Sequence, residues 1–451
     1  MIWCLCRISA WVTERGTPMF TQAAISIFVF ALVLVGFAVN ILPMEATAML
    51  GMMVLVFLGC LDASSAASIF SSSTVLMLAP MFLIAAAFSK TQAIQRLSDL
   101  VVRVSKGSAR AVVAGYVLLS LVLVQLINSA SAVFFIVYPL VLACCKEMGI
   151  SPSKTIFPVG LSCMATAGVL PTASAISMCE VWRGYFTAYG LTQFDYGVLD
   201  YCLSRIPMAI CVVLFAIFYA PGHLPERVPS TAPDLMAGEK PIMVQPSLTR
   251  FQEGLTVAVF LGMIIGVSFS RQLGVPSWQV CMLGAVLLVA AGVMRWKEIP
   301  NSIGLGVLLL YVGGTGIATA LQQSGAVEII GDWMLRLFGS HPNQYLFGLA
   351  FFLISYLLTQ VLSNSAVSFI FVPICLMSCA ALGCNPVGPM FCSLCGSSTG
   401  FLTPMANPTA PVVFEMGGYQ VKDILKITPV FSVPAAVLST LWIMTLFPMY
   451  G

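Results

Sequence analysis

Between Ala111 and Cys145 the chain runs for 35 residues without Asp, Glu, Lys or Arg, and the stretches Thr155 to Met178 and Leu337 to Phe414 are equally free of them. Apolar runs of this length restrict the fold severely, because a helix of about 20 apolar residues crosses the hydrocarbon core of a bilayer. Charged residues make up 8% of the chain and hydrophobic ones 59%, against roughly 25% charge in a soluble domain. A string of soluble domains is excluded. The chain reads as an all-α polytopic membrane protein.

The first apolar run begins near Ala23, behind a polar start with Arg7 and Arg15. It is too long, and too closely followed by the next, for a cleaved signal peptide. Residues 1–20 read as an N-terminal extension, and Met19 offers an alternative start that would leave Met1 to Pro18 outside the protein. The 15 cysteines lie mostly in apolar runs, where a thiol packs as a small hydrophobe. Cys392 and Cys395 form a C-x-x-C, but no second pair or histidine completes a metal site.

An internal repeat organises the rest. With an offset of 234, Ser129–Pro152 lies on Ser363–Pro386 with 11 of 24 positions identical, among them Ser129/Ser363, Ser131/Ser365, Pro139/Pro373 and Gly149/Gly383. Repeat 1 spans 21–220 and repeat 2 spans 251–451. The intervening 221–250 holds six prolines and reads as a cytoplasmic linker. Each repeat predicts scaffold helices (22–88 and 252–322), then a short amphipathic piece carrying Asp99 or Asp332. A pair of apolar arms follows (110–145 and 345–382), meeting at a serine-rich break. Next come a helix interrupted by Gly and Pro (155–180 and 389–414) and a last helix (205–220 and 426–448).

The second arms hold about 14 and 17 residues, short for a crossing, so each pair reads as a re-entrant hairpin. Each repeat then has five transmembrane helices plus one re-entrant helical hairpin. Five is odd, so the repeats are inverted. With the amino terminus outside, 14 Lys and Arg fall on inner segments and 6 on outer ones, Arg183 and Arg205 among the latter. That distribution obeys the positive-inside rule. Both termini are expected outside the plasma (inner) membrane.

Broken helices survive in lipid only where protein or a polar cavity surrounds the freed backbone. Discontinuous helices of inverted repeats, meeting at the midplane, mark the binding site of a secondary transporter. Ser129, Ser131, Ser363 and Ser365 offer hydroxyls there, and Asn364 offers an amide. Freed carbonyls suit a hard cation such as sodium, while helix N-termini present N–H groups to an anion. The segment Gly400 to Pro411 loses regular hydrogen bonding at Pro404 and Pro408, exposing Thr403, Asn407 and Thr409. Its counterpart, Gly168 to Ala175, offers Thr172 and Ser174.

Other readings are weaker. Gly396 to Gly400 fits G-x-S-x-G around Ser398, but a nucleophilic serine needs a base, and the two histidines, His223 and His341, are predicted in loops on opposite faces. No enzyme is expected. A sodium/proton antiporter needs an ionisable residue in the membrane, and the uncharged stretches supply none. They also leave no salt bridge for a substrate, so bound cations and helix dipoles must balance a multivalent anion.

The tips resemble those of the divalent anion:sodium symporters of the ion transporter superfamily. Members carry Ser-Asn-Thr at each tip and a proline nine residues after the asparagine; Asn364 and Pro373 keep that spacing, with Ser365 in the threonine place. Thr403, Pro404, Pro408 and Thr409 partly match the family's interrupted-helix segment. Ala130 stands in the first tip's asparagine place, two residues after Asn128, and Ala406 and Ala410 replace a glycine and an asparagine. The resemblance implies sodium-driven uptake of dicarboxylates, tricarboxylates or sulfate by an elevator-like mechanism, in a homodimer.

Substrate contacts are expected from Ser129, Ser131, Thr172, Ser363, Asn364, Ser365, Asn407 and Thr409. Cation contacts are expected from Asn128, Ser129, Gly168, Ser363, Asn364 and Ala406. The expected partners are a small anionic solute and the lipid bilayer, not nucleic acid, with sodium as coupling ion and no cofactor. The alternatives are a proton-coupled carboxylate carrier and, ranked below it, the antiporter.

Overall fold

The computed structural model describes residues 19–39, 42–88, 90–92, 109–127, 129–149, 151–226, 248–270, 274–327, 329, 339, 341–403, 406–407 and 409–450. Among them the regular elements are helices. The first half holds α1 (Met19–Val39), α2 (Met44–Phe57), α3 (Ala63–Phe70), α4 (Ser73–Phe88), α5 (Ala109–Leu126), α6 (Ala130–Met148), α7 (Ser153–Ala165), α8 (Ala173–Ala188) and α9 (Val198–Leu214). The second holds α10 (Arg250–Ser268), α11 (Ser277–Ala290), a single turn at Ile299–Ser302, and α12 (Leu305–Gln323). It continues with α13 (Gln344–Leu358), α14 (Asn364–Leu382), α15 (Val387–Ser397), α16 (Ala410–Gly417) and α17 (Val421–Leu446). Both halves therefore present the same succession of pieces.

Among the described residues, 6 helical stretches are long and apolar enough to cross a membrane: Ala63–Phe88, Val198–His223, Arg250–Val267, Leu305–Gln323, Asn364–Leu382 and Val421–Leu446. Asn128, the pieces around Asp99 and Asp332, most of the 221–250 linker, residues 1–18, Pro404 and Pro408 lie outside the described residues.

The second arms correct the sequence-based lengths. Ser129 and Ser363 each accept a hydrogen bond from the backbone N–H three residues on, at 3.2 Å, which starts the helix right at the break. Gly149 and Gly383 stop it in the left-handed conformation, at φ +64° and +63°. The arms are thus 19 residues each, and length alone does not distinguish a re-entrant arm from a crossing.

The halves interlock. α4 of the first packs on α11 of the second, and α12 of the second packs on α2 of the first. Small residues permit the second contact: a Cβ at Gly313 would stand 2.5 Å from the Ala48 backbone. In each hairpin the two arms pack together, and the first arm also packs on the first piece of the interrupted helix, α5 on α7 and α13 on α15. α16 crosses back onto α7, and α9 lies along α17.

Polar contacts gather several connections. Lys90 pairs with Glu298 at 2.5 Å, and Lys154 with Glu226 at 2.5 Å. The Gln92 N–H donates to Glu253 at 3.1 Å. These contacts join segments that the charge pattern assigns to one face.

Candidate functional site

Each interrupted helix is held open by a glutamine at the end of the preceding arm. In the first half the Gln125 amide donates to the carbonyls of Leu121 (2.9 Å) and Thr166 (2.7 Å). Its oxygen accepts from the N–H groups of Gly168 (2.9 Å) and Val169 (3.1 Å). The Thr172 hydroxyl donates to the Gln125 carbonyl at 2.6 Å. In the second half Gln360 donates to Tyr356 (2.8 Å) and Thr399 (3.1 Å), accepts from the Leu402 N–H (3.1 Å), and takes the Thr403 hydroxyl on its own carbonyl. One side chain thereby satisfies backbone groups that the broken helix cannot pair, as apolar surroundings require.

The sequence reading missed both glutamines. They sit four residues before Ser129 and three before Ser363, so the repeat alignment at offset 234 does not bring them together. A buried amide near the end of each apolar arm was the available signal.

The second tip closes around Asn364. The amide orientation that satisfies its surroundings sends the nitrogen to the Ala406 carbonyl (3.0 Å), the Thr359 hydroxyl (2.7 Å) and the Ser397 carbonyl (3.2 Å). Its oxygen accepts from the Asn407 amide at 3.2 Å, and the Thr359 hydroxyl donates onward to Ser397 at 2.9 Å. The Asn364 backbone N–H also reaches Ala406, at 3.3 Å. Gly400 makes room for this: a Cβ there would stand 2.2 Å from the end of the Asn364 amide.

From Asn364 the polar contacts continue to the first tip. Asn407 accepts from the Thr409 N–H at 2.9 Å, and the Thr409 hydroxyl meets the Ser131 hydroxyl at 2.9 Å. The chain Asn364–Asn407–Thr409–Ser131 thus runs from one hairpin to the other through the second interrupted helix. Ser129 and Ser363 cap their helices, while Ser365 is exposed. Thr172 and Gly168 belong to the Gln125 clamp, and Ala406, fully buried, offers its carbonyl to Asn364.

One expectation fails outright. The charge pattern puts Arg205 among the outer charges, at the start of the last helix of repeat 1. That helix instead begins at Val198, where Asp200 accepts the Gly197 N–H at 2.7 Å. The earlier start carries Arg205 two turns into the protein, where it is only 6% exposed. Its guanidinium donates to Ser398 Oγ (2.8 Å) and to the Tyr201 hydroxyl (2.9 Å). The core is therefore not free of guanidinium.

A cavity of about 330 Å³ lies elsewhere, between α3, α4, α8 and α12, and its lining is hydroxyl-rich, with Ser72, Ser73, Tyr311, Thr315 and Thr319. Among the described residues no charged side chain lines it.

Comparison with known proteins adds an independent view. A family model described as the sodium:sulfate symporter transmembrane region matches residues 13–450. An uncharacterized transporter of Haemophilus influenzae is 32% identical over 149 residues, 33% of this chain and 32% of that protein. A sodium-dependent high-affinity dicarboxylate transporter of Caenorhabditis elegans is 28% identical over 149 residues, 33% of this chain and 26% of that one. The chain thus spans a third or less of the length of these two relatives. The crystal structure of the YdaH transporter of Alcanivorax borkumensis superposes with a TM-score of 0.63 at 12% identity, covering 95% of this chain and 100% of that one, a likeness of fold.

Proposed function

The chain belongs to the sodium:sulfate symporter family, and from that premise we propose that it is a secondary active transporter coupling sodium entry to the import of a small anion, a di- or tricarboxylate or sulfate. The family is one of transporters, not enzymes. Ser398 accordingly serves packing: its hydroxyl donates to the Cys395 carbonyl at 2.8 Å.

One observation carries the reading: hydroxyl and amide groups of both hairpins are joined, through Asn407 and Thr409, across a region without carboxylate or ammonium. Around Asn364 three oxygens converge on the amide nitrogen, from Ala406, Thr359 and Ser397. A sodium ion is assigned beside these oxygens, with the amide swung aside to admit it. Rotating the amide would bring its own oxygen toward the ion as a fourth ligand, in keeping with the oxygen preference of hard cations. The anion is placed beside it, against Ser363, Ser365 and Ser131 and the N-terminal ends of α6 and α14, where open N–H groups and the helix dipoles favour negative charge. Asn128, Ser129 and Gly168 are assigned to a second cation site at the first tip.

The matching succession of helices, with α4 and α12 exchanged between halves, supports two inverted repeats. In each, five spans and a re-entrant hairpin make up the unit. Helices α1–α4 and α10–α12 form the scaffold, and the hairpins with α7, α8, α15 and α16 form the part that moves, elevator-like, across it. The hydroxyl-lined cavity is assigned as a water-filled crevice between the two. Both termini are placed outside the plasma membrane, in a homodimer.

Proteoliposomes test the proposal. Radiolabelled succinate, citrate and sulfate are offered with and without an inward sodium gradient. Uptake of at least one that collapses without sodium, and in Asn364→Ala, is the expected result. Uptake that follows a proton gradient and ignores sodium would replace the proposal with a proton-coupled carrier.

A further inference from the structure

Arg205 lies outside the proposed cycle, yet its setting is unusual. It is buried, its Nε has no partner, and among the described residues no carboxylate pairs with it. The nearby Arg183 differs, being paired with Glu180 at 2.6 Å and Asp195 at 3.5 Å. A buried cation needs a compensating negative charge or dipole. Part of that compensation is visible. The guanidinium lies 5.2 Å from the Tyr201 ring centroid and bonds Ser398, the C-cap of α15, at the negative end of a helix dipole. Among the described residues no carboxylate supplies a full counter-charge.

The position matters as much as the charge. Ser398 follows Ser397, whose carbonyl accepts the Asn364 amide. Summed bond lengths put the guanidinium within roughly 13 Å of that amide. On its other side Tyr201 packs against Gly168, where a Cβ would stand 2.8 Å from the ring. The charge therefore stands between the unwound segments of both halves.

We propose that Arg205 is a fixed positive charge of the translocation core, supplying the counter-charge that draws an oxyanion and favouring doubly over singly charged ones. The inference rests on the transport reading above. At roughly 13 Å and an effective dielectric near 20, one charge alters affinity by about tenfold for each unit on the ligand. A dianion gains twice the effect of a monoanion, and a bound sodium ion is weakened by a similar factor.

The test measures equilibrium binding to the purified full chain at constant ionic strength. The probes are succinate against its monoamide succinamate, and sulfate against methanesulfonate, with sodium titrated separately. Arg205→Gln and Arg205→Met, two neutral variants of similar length, are compared with Arg205→Lys and Ser398→Ala. In either neutral variant the preference for dianion over monoanion is expected to fall about tenfold, and sodium to bind about tenfold more tightly. Arg205→Lys and Ser398→Ala, which keep the charge, are expected to retain the preference. The inference is overturned if the neutral variants keep the dianion preference within twofold, or if Ser398→Ala loses as much of it as they do. Anion binding by the wild type without sodium dependence would remove the coupling proposal and leave the Arg205 comparison standing. Absence of binding of any of the four anions would sink both.

Discussion

Replacing Gln360 by methionine separates the clamp from the ligand site. Methionine has nearly the same length and volume, so the cavity cost is small, while the hydrogen bonds vanish. The Leu402 N–H and the Thr399 carbonyl, now held at 3.1 Å each, would be left without partners in a buried segment. Each such loss costs about 1–3 kcal/mol, so Gln360→Met is expected to destabilise the fold by about 2–6 kcal/mol. Water admitted to the gap would bring the figure toward the lower end. The same strand of backbone holds Asn407 and Thr409, so transport is expected to fall more steeply than folding. The assay pairs intrinsic-fluorescence melting in detergent with initial uptake rates in proteoliposomes. Gln125→Met, which frees the Thr166 carbonyl and the Gly168 and Val169 N–H groups, is expected to cost at least as much. Variants that melt and transport like the wild type would refute the claim that these amides keep the broken helices open.

Gly400→Ala would drive a methyl group to 2.2 Å from the Asn364 amide and 3.0 Å from the Thr359 carbonyl; uptake is expected to drop at least tenfold, while stability, followed by thermal melting, falls only by the cost of overpacking, about 1–3 kcal/mol. A second prediction concerns pH. The hydrogen bond from Lys90 holds the Glu298 carboxyl below its ordinary 4.5, so the pair contributes stability above that pH and loses it as pH falls through the lower folded-state value. With Glu298 partly exposed, the effect is under about 1 kcal/mol. The difference in melting temperature between wild type and Glu298→Gln should be present at pH 7 and shrink below pH 4.5.

Membrane residence, the duplication and the two serine-rich breaks were legible in the sequence. Hydropathy, repeat spacing and helix-breaking residues act along the chain, and each is local enough to read one segment at a time. The same locality explains why the breaks could be placed at Ser129 and Ser363, while their part as helix caps emerged only in the structure. The sequence did not reveal which polar groups would share a space. Ser131 meets Thr409 across 278 positions, and Asn364 finds Ala406, Ser397 and Asn407 only because α13, α14 and α15 converge. The glutamine clamps stayed hidden because their spacing from the break differs by one residue between the halves, yet packing brings each to the same task. Arg205 marks the sharpest division. Its charge is plain in the sequence, but its depth depends on where α9 begins and what lies against it. Composition and pattern fixed which solvent each segment prefers; only tertiary packing decided which buried groups face one another, because that depends on contacts between segments far apart in the chain.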